Sequence, residues 1–162
     1  MLLRCLLLAV LMVGCKPSEE PVKMPQAGPQ DVVVSWGMIG RKAQRDTMYM
    51  ELHGDRRMTV VTKSPSGTMM SVEQTVAEEQ YTELVRQLRG LDCCSLASTH
   101  ESAPSPLESK PELVIDFGDL QCQVALWDSE WRGERARKCG LAVSAIHGRS
   151  FLTDDPNETA AR

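Results

Sequence analysis

The chain has few aromatic residues, no excess of positive charge and no long hydrophobic run. Aromatic residues make up 4% of its 162 positions, so a folded core has to rely on aliphatic side chains and methionine. Lys and Arg together number 18 against 22 Asp and Glu, for a net charge of −4, which excludes binding to a nucleic-acid backbone as a main activity. The apolar run at residues 5–13 is far shorter than the roughly 20 residues that a membrane-spanning helix needs.

Sequence motifs for catalysis are also missing. None of the three histidines, His53, His100 and His147, stands in a Gly-x-Ser-x-Gly or His-Glu-x-x-His pattern. Three turn aspartates, Asp55, Asp116 and Asp119, are explained by the preference of aspartate for turns. We therefore predict no catalytic residue, no metal ligand and no cofactor.

What is present is the composition of a globular protein, with 42% hydrophobic and 25% charged residues. Composition shifts divide the chain into a leader at residues 1–14, a tether at 15–30, one domain at 31–151 and a polar tail at 152–162. The tether has a proline at every fourth position, which favours an extended, solvated chain: Pro17, Pro21, Pro25 and Pro29.

The leader begins with one positive charge at Arg4, continues with the apolar run and ends in Leu11-Met12-Val13-Gly14-Cys15. This order resembles the lipobox of bacterial lipoproteins. The resemblance implies a diacylglyceryl thioether on Cys15, cleavage before that cysteine and acylation of its new amino group. Several acyl chains on one residue give stable membrane anchoring. Lys16 replaces the aspartate that favours inner-membrane retention in enteric members, which implies the outer membrane.

The domain sequence predicts two β-hairpins among its strands. Residues 31–36 and 68–74 read as single strands. A three-residue loop at residues 54–56 would pair Leu52 with Met58 and Met50 with Val60. A two-residue turn at Gly118-Asp119 would place three pairs on one face: Phe117 opposite Leu120, Ile115 opposite Cys122, and Leu113 opposite Val124.

Two helices complete the prediction. Thr75-x-x-Glu78 has the spacing of a capping box, and apolar residues follow at helical spacing up to the natural terminator Gly90. A second helix is predicted over residues 133–147, with Cys139, Ala142, Val143 and Ile146 on its inward face. Residues 98–110 form an exposed loop. The fold class is α+β, with an antiparallel sheet of five to six strands packed by two helices on one face.

Four cysteines are left in the domain: Cys93, Cys94, Cys122 and Cys139. Outside the cytoplasm this number favours two disulfides. A bond between the neighbours Cys93 and Cys94 would close a strained ring, so each is expected to bond separately to Cys122 or Cys139.

The function predicted from these features is a non-catalytic binding or structural module of the cell envelope. It is held on the membrane by its lipid anchor and binds another envelope protein. An inhibitor of a secreted enzyme is one version of this role. The alternative is a thiol-redox or copper protein that uses Cys93 and Cys94 or a methionine cluster: Met38, Met48, Met50, Met58, Met69 and Met70. Trp127 and Trp131 have two interpretations, as exposed interface anchors or as caps on a thin core.

Overall fold

A computed structural model describes residues 21–37, 47–63 and 66–147. Across this part of the chain, six strands form one antiparallel sheet in the order β4-β3-β2-β1-β5-β6. The strands are β1 (Val32–Gly37), β2 (Thr47–His53), β3 (Arg57–Lys63), β4 (Met69–Thr75), β5 (Glu112–Asp116) and β6 (Gln121–Ala125). The helices are α1 (Glu78–Gly90), the single turn α2 (Asp128–Trp131) and α3 (Glu134–His147). The predicted α+β class is confirmed.

Both hairpins have the predicted register. Leu52 lies opposite Met58, and Met50 lies opposite Val60. In the second hairpin, Ile115 faces Cys122 and Leu113 faces Val124, while the Phe117 N–H donates to the Leu120 carbonyl at 2.9 Å. Gly118 has a φ of 83°, a backbone conformation that favours glycine and that a two-residue hairpin turn requires at its first position.

β1 is one of the two central strands of the sheet and pairs with β2 on one side and with β5 on the other. Its register shifts between Val32 and Val34, which makes Val33 an extra residue in the strand. Val33 and Val34 are both buried, so the bulge adds an apolar side chain to the core.

The core lies between one face of the sheet and the helices. From α1 it receives Tyr81, Leu84, Val85 and Leu88, and from α3 it receives Ala136, Cys139, Ala142, Val143 and Ile146. The inward face predicted for the last helix is therefore correct. Trp131 of α2 is 0% exposed and packs against β1, with its ring centroid 4.4 Å from that of Trp36.

The start of α1 differs from the sequence prediction. The N-cap is Ala77, which makes no side-chain cap, and Thr75 is still part of β4. Thr75 belongs to the strand and not to the helix start, because it pairs with Arg57 and the next residue, Val76, donates its N–H to the Arg56 carbonyl. The predicted capping box at Thr75 is thus wrong. At the other end α1 finishes at Gly90 as predicted, but the left-handed residue is Asp92, two positions later.

The described part of the predicted tether also differs from an extended, solvated spacer. Residues 22–31 lie against the domain, with Val22 and Ala27 partly buried on the core. The Gln26 N–H donates to the Phe117 carbonyl at 3.1 Å, and the Pro29 carbonyl accepts from the Asp55 N–H at 3.2 Å. Residues 15–20 of the predicted tether, which include Cys15, lie outside the described residues.

Candidate functional site

The two edges of the sheet are built differently. The edge strand β6 carries Cys122, which bonds to Cys94 in the short 3₁₀ turn that follows α1, so protein covers part of that edge. The edge strand β4 has no partner on its outer side among the described residues. All seven of its residues are exposed.

The outer side of β4 lacks most of the features that protect edge strands from pairing. Natural edge strands are blunted by shortness, lysine, proline or a bulge. With seven residues, β4 contains no lysine or proline, and its pairing with β3 runs without a shift from Met69 to Thr75. Its backbone N–H and C=O groups on the outer side are therefore a ready template for another strand.

Large apolar side chains surround this backbone. Met70 and Val72 are 62% and 55% exposed, and Met69, on the opposite face, is 61% exposed. Val72 lies directly opposite Val60, which is only 5% exposed. The helical layer thus covers the sheet as far as β3 and leaves β4 bare. We call the outer side of β4 with Met69, Met70 and Val72 the β4 edge.

The only charged side chain of β4 is Glu73. Its carboxylate lies 4.0 Å from the Arg57 guanidinium of the neighbouring strand. An incoming strand therefore meets apolar and neutral polar side chains, with one acid already close to a positive charge.

The predicted disulfides are present, between Cys93 and Cys139 and between Cys94 and Cys122. Their Cα atoms are 6.0 Å and 5.5 Å apart. Cys93 and Cys139 are buried, whereas Cys94 and Cys122 are partly exposed. Cys93 and Cys94, the two thiols proposed for redox or metal chemistry, are thus joined to α3 and β6 and link these elements to the turn after α1.

The other sequence candidates lie apart from one another. Met50 and Met58 are buried in the core as expected, while Met69 and Met70 belong to the β4 edge. Met38 and the Met48 side chain are outside the described residues. No group of three or more His, Cys, Asp or Glu side chains suited to a metal ion occurs in the part of the chain that the structure covers.

The two tryptophans have different environments. Trp131 donates its indole N–H to the Pro111 carbonyl at 3.3 Å and has no exposed surface, so it is a core residue and not an exposed anchor. Trp127 is partly exposed; its indole N–H donates to the His100 carbonyl, and the Lys110 ammonium lies 5.0 Å from its ring. Of the two interpretations, the core cap is the one observed for Trp131.

The Glu130 carboxylate has a structural role that was not predicted from the sequence. It accepts hydrogen bonds from the N–H groups of Trp127 and Thr99 and from the hydroxyls of Ser98 and Thr99. Burial, the largest single influence, raises the pKa of Glu130, but these hydrogen bonds together outweigh it and hold the pKa well below its usual range. Glu130 therefore stays ionised and fastens the loop at residues 98–110 to α2.

The neighbouring His100 belongs to the same hydrogen-bonded cluster. Its Nδ1 lies 3.0 Å from the Thr99 hydroxyl and 3.2 Å from Glu130, and the hydroxyl also donates to Glu130 at 2.8 Å. At the other end of the sheet, His53 is hydrogen-bonded to the Gln30 carbonyl. The His147 side chain lies outside the described residues.

The predicted turn aspartates have the structural roles that turn chemistry suggests. Asp55 accepts from the Arg57 N–H, and Asp116 accepts from the Gly118 N–H, both at 3.0 Å. Asp119 differs, because it also binds two cationic side chains, Arg89 and Lys23.

None of the helices described is long and apolar enough to cross a membrane. A scan against protein-family models found no match to the chain, and neither did a search of curated proteins.

Proposed function

We propose that this protein is a lipid-anchored protein of the bacterial cell envelope whose domain binds another envelope protein without catalysing a reaction. Anchoring is by acylation of Cys15, on the strength of the lipobox resemblance at residues 11–15. The outer membrane is its proposed location. The observation that carries the binding role is the β4 edge.

The proposed mode of binding is the addition of a strand. An extended segment of the partner pairs with the outer side of β4, and main-chain hydrogen bonds give the affinity. Specificity comes from alternate side chains on the two faces of the added strand. On the helix side, these side chains meet the exposed Met70 and Val72, which favours apolar residues in the partner.

The charge of Glu73 further restricts which partner segments can pair with β4. Since Glu73 is the single charged residue of β4, a partner segment with an acid directly opposite it is disfavoured. The proposed partner segment is therefore extended, mainly apolar on the helix side, and neutral or basic where it faces Glu73.

Cross-linking from the edge tests this role in the full lipidated chain. A photo-cross-linking amino acid replaces Ser71 in the middle of β4 or, as a control, Leu107 in the exposed loop. Mass spectrometry then maps the partner peptide attached. The expected result is one extended peptide of one envelope protein, obtained from Ser71 and not from Leu107.

A charge series makes the test quantitative. Met70→Lys with Val72→Lys should reduce the yield from Ser71 at least tenfold, because two ammonium groups are placed where apolar side chains are expected. Leu107→Lys adds a charge at an equally exposed apolar residue, 70% exposed, and should leave the yield unchanged. Equal yields from both cross-linker positions, no loss in the double variant, or cross-links only to a second copy of this chain would each overturn the proposal.

A further inference from the structure

Residues 22–31 cross the end of the sheet at which both Gly-Asp turns lie. The segment starts beside the β5–β6 turn, where Gln26 packs so close that a side chain at Gly118 would lie 3.3 Å from its Cβ. It ends beside the β2–β3 turn, where the Gly28 carbonyl oxygen would lie 2.5 Å from a Cβ at Gly54. We call residues 22–31 the strap.

The strap is bound at its beginning by Arg89 of α1. The Arg89 guanidinium donates from Nη2 and Nη1 to the two carboxylate oxygens of Asp119, at 2.8 Å and 3.3 Å. Its Nε donates to the Lys23 carbonyl at 2.9 Å, and its Cζ lies 5.0 Å from the centroid of the Phe117 ring. One guanidinium thus connects helix, hairpin turn and strap, which is a use of the planar fork that lysine does not reproduce.

Lys23 closes the same cluster from the strap side. Its ammonium lies 2.7 Å from the Asp119 carboxylate. The hydrogen bonds from Arg89, and next from Lys23, lower the pKa of Asp119 well below its usual range. Asp119 therefore stays charged at any physiological pH. We call Lys23, Arg89 and Asp119 the clasp.

We propose that the strap is a permanent part of the domain and holds the turn end of the sheet close to the lipid bilayer. This inference rests on the proposed acylation of Cys15. With the strap docked, Val22 follows Cys15 by seven positions, so the connection spans at most about 25 Å. With the strap free, the connection would run from Cys15 to Asp31, sixteen positions later, and reach about 55 Å.

The short connection also gives the domain an orientation. The Gly-Asp turns face the bilayer, and the opposite end of the strands, with α2 and the loop at residues 98–110, faces away. Met69 lies at that far end of β4 and Thr75 at the turn end, next to Arg56. The β4 edge is therefore open from the side of the domain and is not turned toward the lipid.

Trypsin release from vesicles tests the docked strap. Trypsin cleaves after lysine and arginine but not before proline, so Lys16, which precedes Pro17, is resistant. Residues 16–23 contain no arginine, and Lys23 is therefore the first cleavable position after Cys15. The lipidated chain is bound to vesicles of phosphatidylethanolamine and phosphatidylglycerol. Release of the domain, with Met24 as its new first residue, is followed by sedimentation and mass.

Variants of the clasp give the expected contrast. Arg89→Ala should speed release at least tenfold, because cleavage after Lys23 requires that the strap leave the domain; Asp119→Asn should act in the same direction. Arg89→Lys should give an intermediate rate. Arg86→Ala is the matched control, since Arg86 lies one turn earlier on α1 and pairs with Glu83 of the same helix.

Energy transfer to headgroup acceptors tests the orientation on the same vesicles. A fluorophore at Gln121, beside the turn end, should transfer severalfold more than one at Glu101, at the far end. In Arg89→Ala the two efficiencies should converge.

The outcomes separate this inference from the anchoring on which it rests. A wild-type chain that does not bind vesicles overturns the lipid-anchored function. If the wild-type chain binds vesicles but trypsin releases it as fast as Arg89→Ala, only the docked strap is overturned. This comparison requires that the wild type and Arg89→Ala have the same near-ultraviolet circular dichroism. Equal transfer from Gln121 and Glu101 in the wild type overturns the orientation.

Discussion

At the scale of single residues, environment decides roles that residue type leaves open. Trp127 and Trp131 are four positions apart, and the sequence gives both the same two interpretations. The packing of Trp131 against Trp36 makes one a core residue, and the hydrogen bond to His100 leaves the other partly exposed. Glu130 lies between them in an acidic turn and had no assigned role, yet it is the most hydrogen-bonded carboxylate described.

The role of Glu130 predicts a specific pH dependence. Its pKa is lowered on folding, so its contribution to stability is present above its unfolded value of about 4.3 and is lost as the pH falls below that value. Glu130→Gln should therefore lower the free energy of unfolding by about 2 kcal/mol at pH 7, and by progressively less below pH 4.

Urea unfolding between pH 2.5 and 7 measures this effect. The control is Glu101→Gln, at an exposed carboxylate of the loop that Glu130 fastens, and it should change the free energy of unfolding little at any pH. A Glu130→Gln deficit that stays constant with pH would contradict the assignment of a charged acceptor.

At the scale of elements, hairpins were easier to predict than helix boundaries. A hairpin register must satisfy a turn and a matching apolar face at once, and for each of the two hairpins one loop length does both. A cap at Thr75 rests on local spacing alone, and the pairing of Thr75 with Arg57 in the sheet overrides it. The exposure of β4 could not be predicted from the sequence either, because Met70 and Val72 alternate with Ser71 and Glu73 as they would in a strand with one buried face.

The disulfides give a prediction at this scale. Limited reduction of the native protein should open Cys94–Cys122 before Cys93–Cys139, because a thiolate has to reach the sulfur and only the first pair is partly exposed. Alkylation at timed intervals, followed by peptide mass spectrometry, measures the order. In urea both bonds should open at similar rates, and earlier opening of Cys93–Cys139 in the native protein would contradict the burial described.

At the scale of the whole molecule, the folded domain begins earlier in the chain than the sequence predicts. Proline spacing suggested a solvated tether up to residue 30, whereas the strap contributes hydrogen bonds to Phe117 and Asp55 and apolar contacts from Val22 and Ala27. Proline prevents a helix but does not prevent an extended chain from docking on a surface.

A truncation checks this boundary. A chain that begins at Asp31 should unfold with a free energy about 2 kcal/mol lower than one that begins at residue 15 with Cys15→Ser, because it lacks the strap contacts. Urea unfolding of both proteins, each with its disulfides confirmed by mass, gives the comparison. Equal stabilities would show that the strap adds nothing to the fold.

The registers of the two hairpins, the inward face of the last helix, the pairing rule for the cysteines and the fold class could be predicted from the sequence, because each depends on residues close together in the chain or on one shared apolar face. The bare β4 edge, the clasp and the fastening at Glu130 follow from contacts between distant segments. Lys23, Arg89 and Asp119 meet only because the strap crosses the turn end of the sheet, and β4 is exposed only because the helices end their cover at β3. Such contacts leave no periodic signal, so tertiary structure alone decides them.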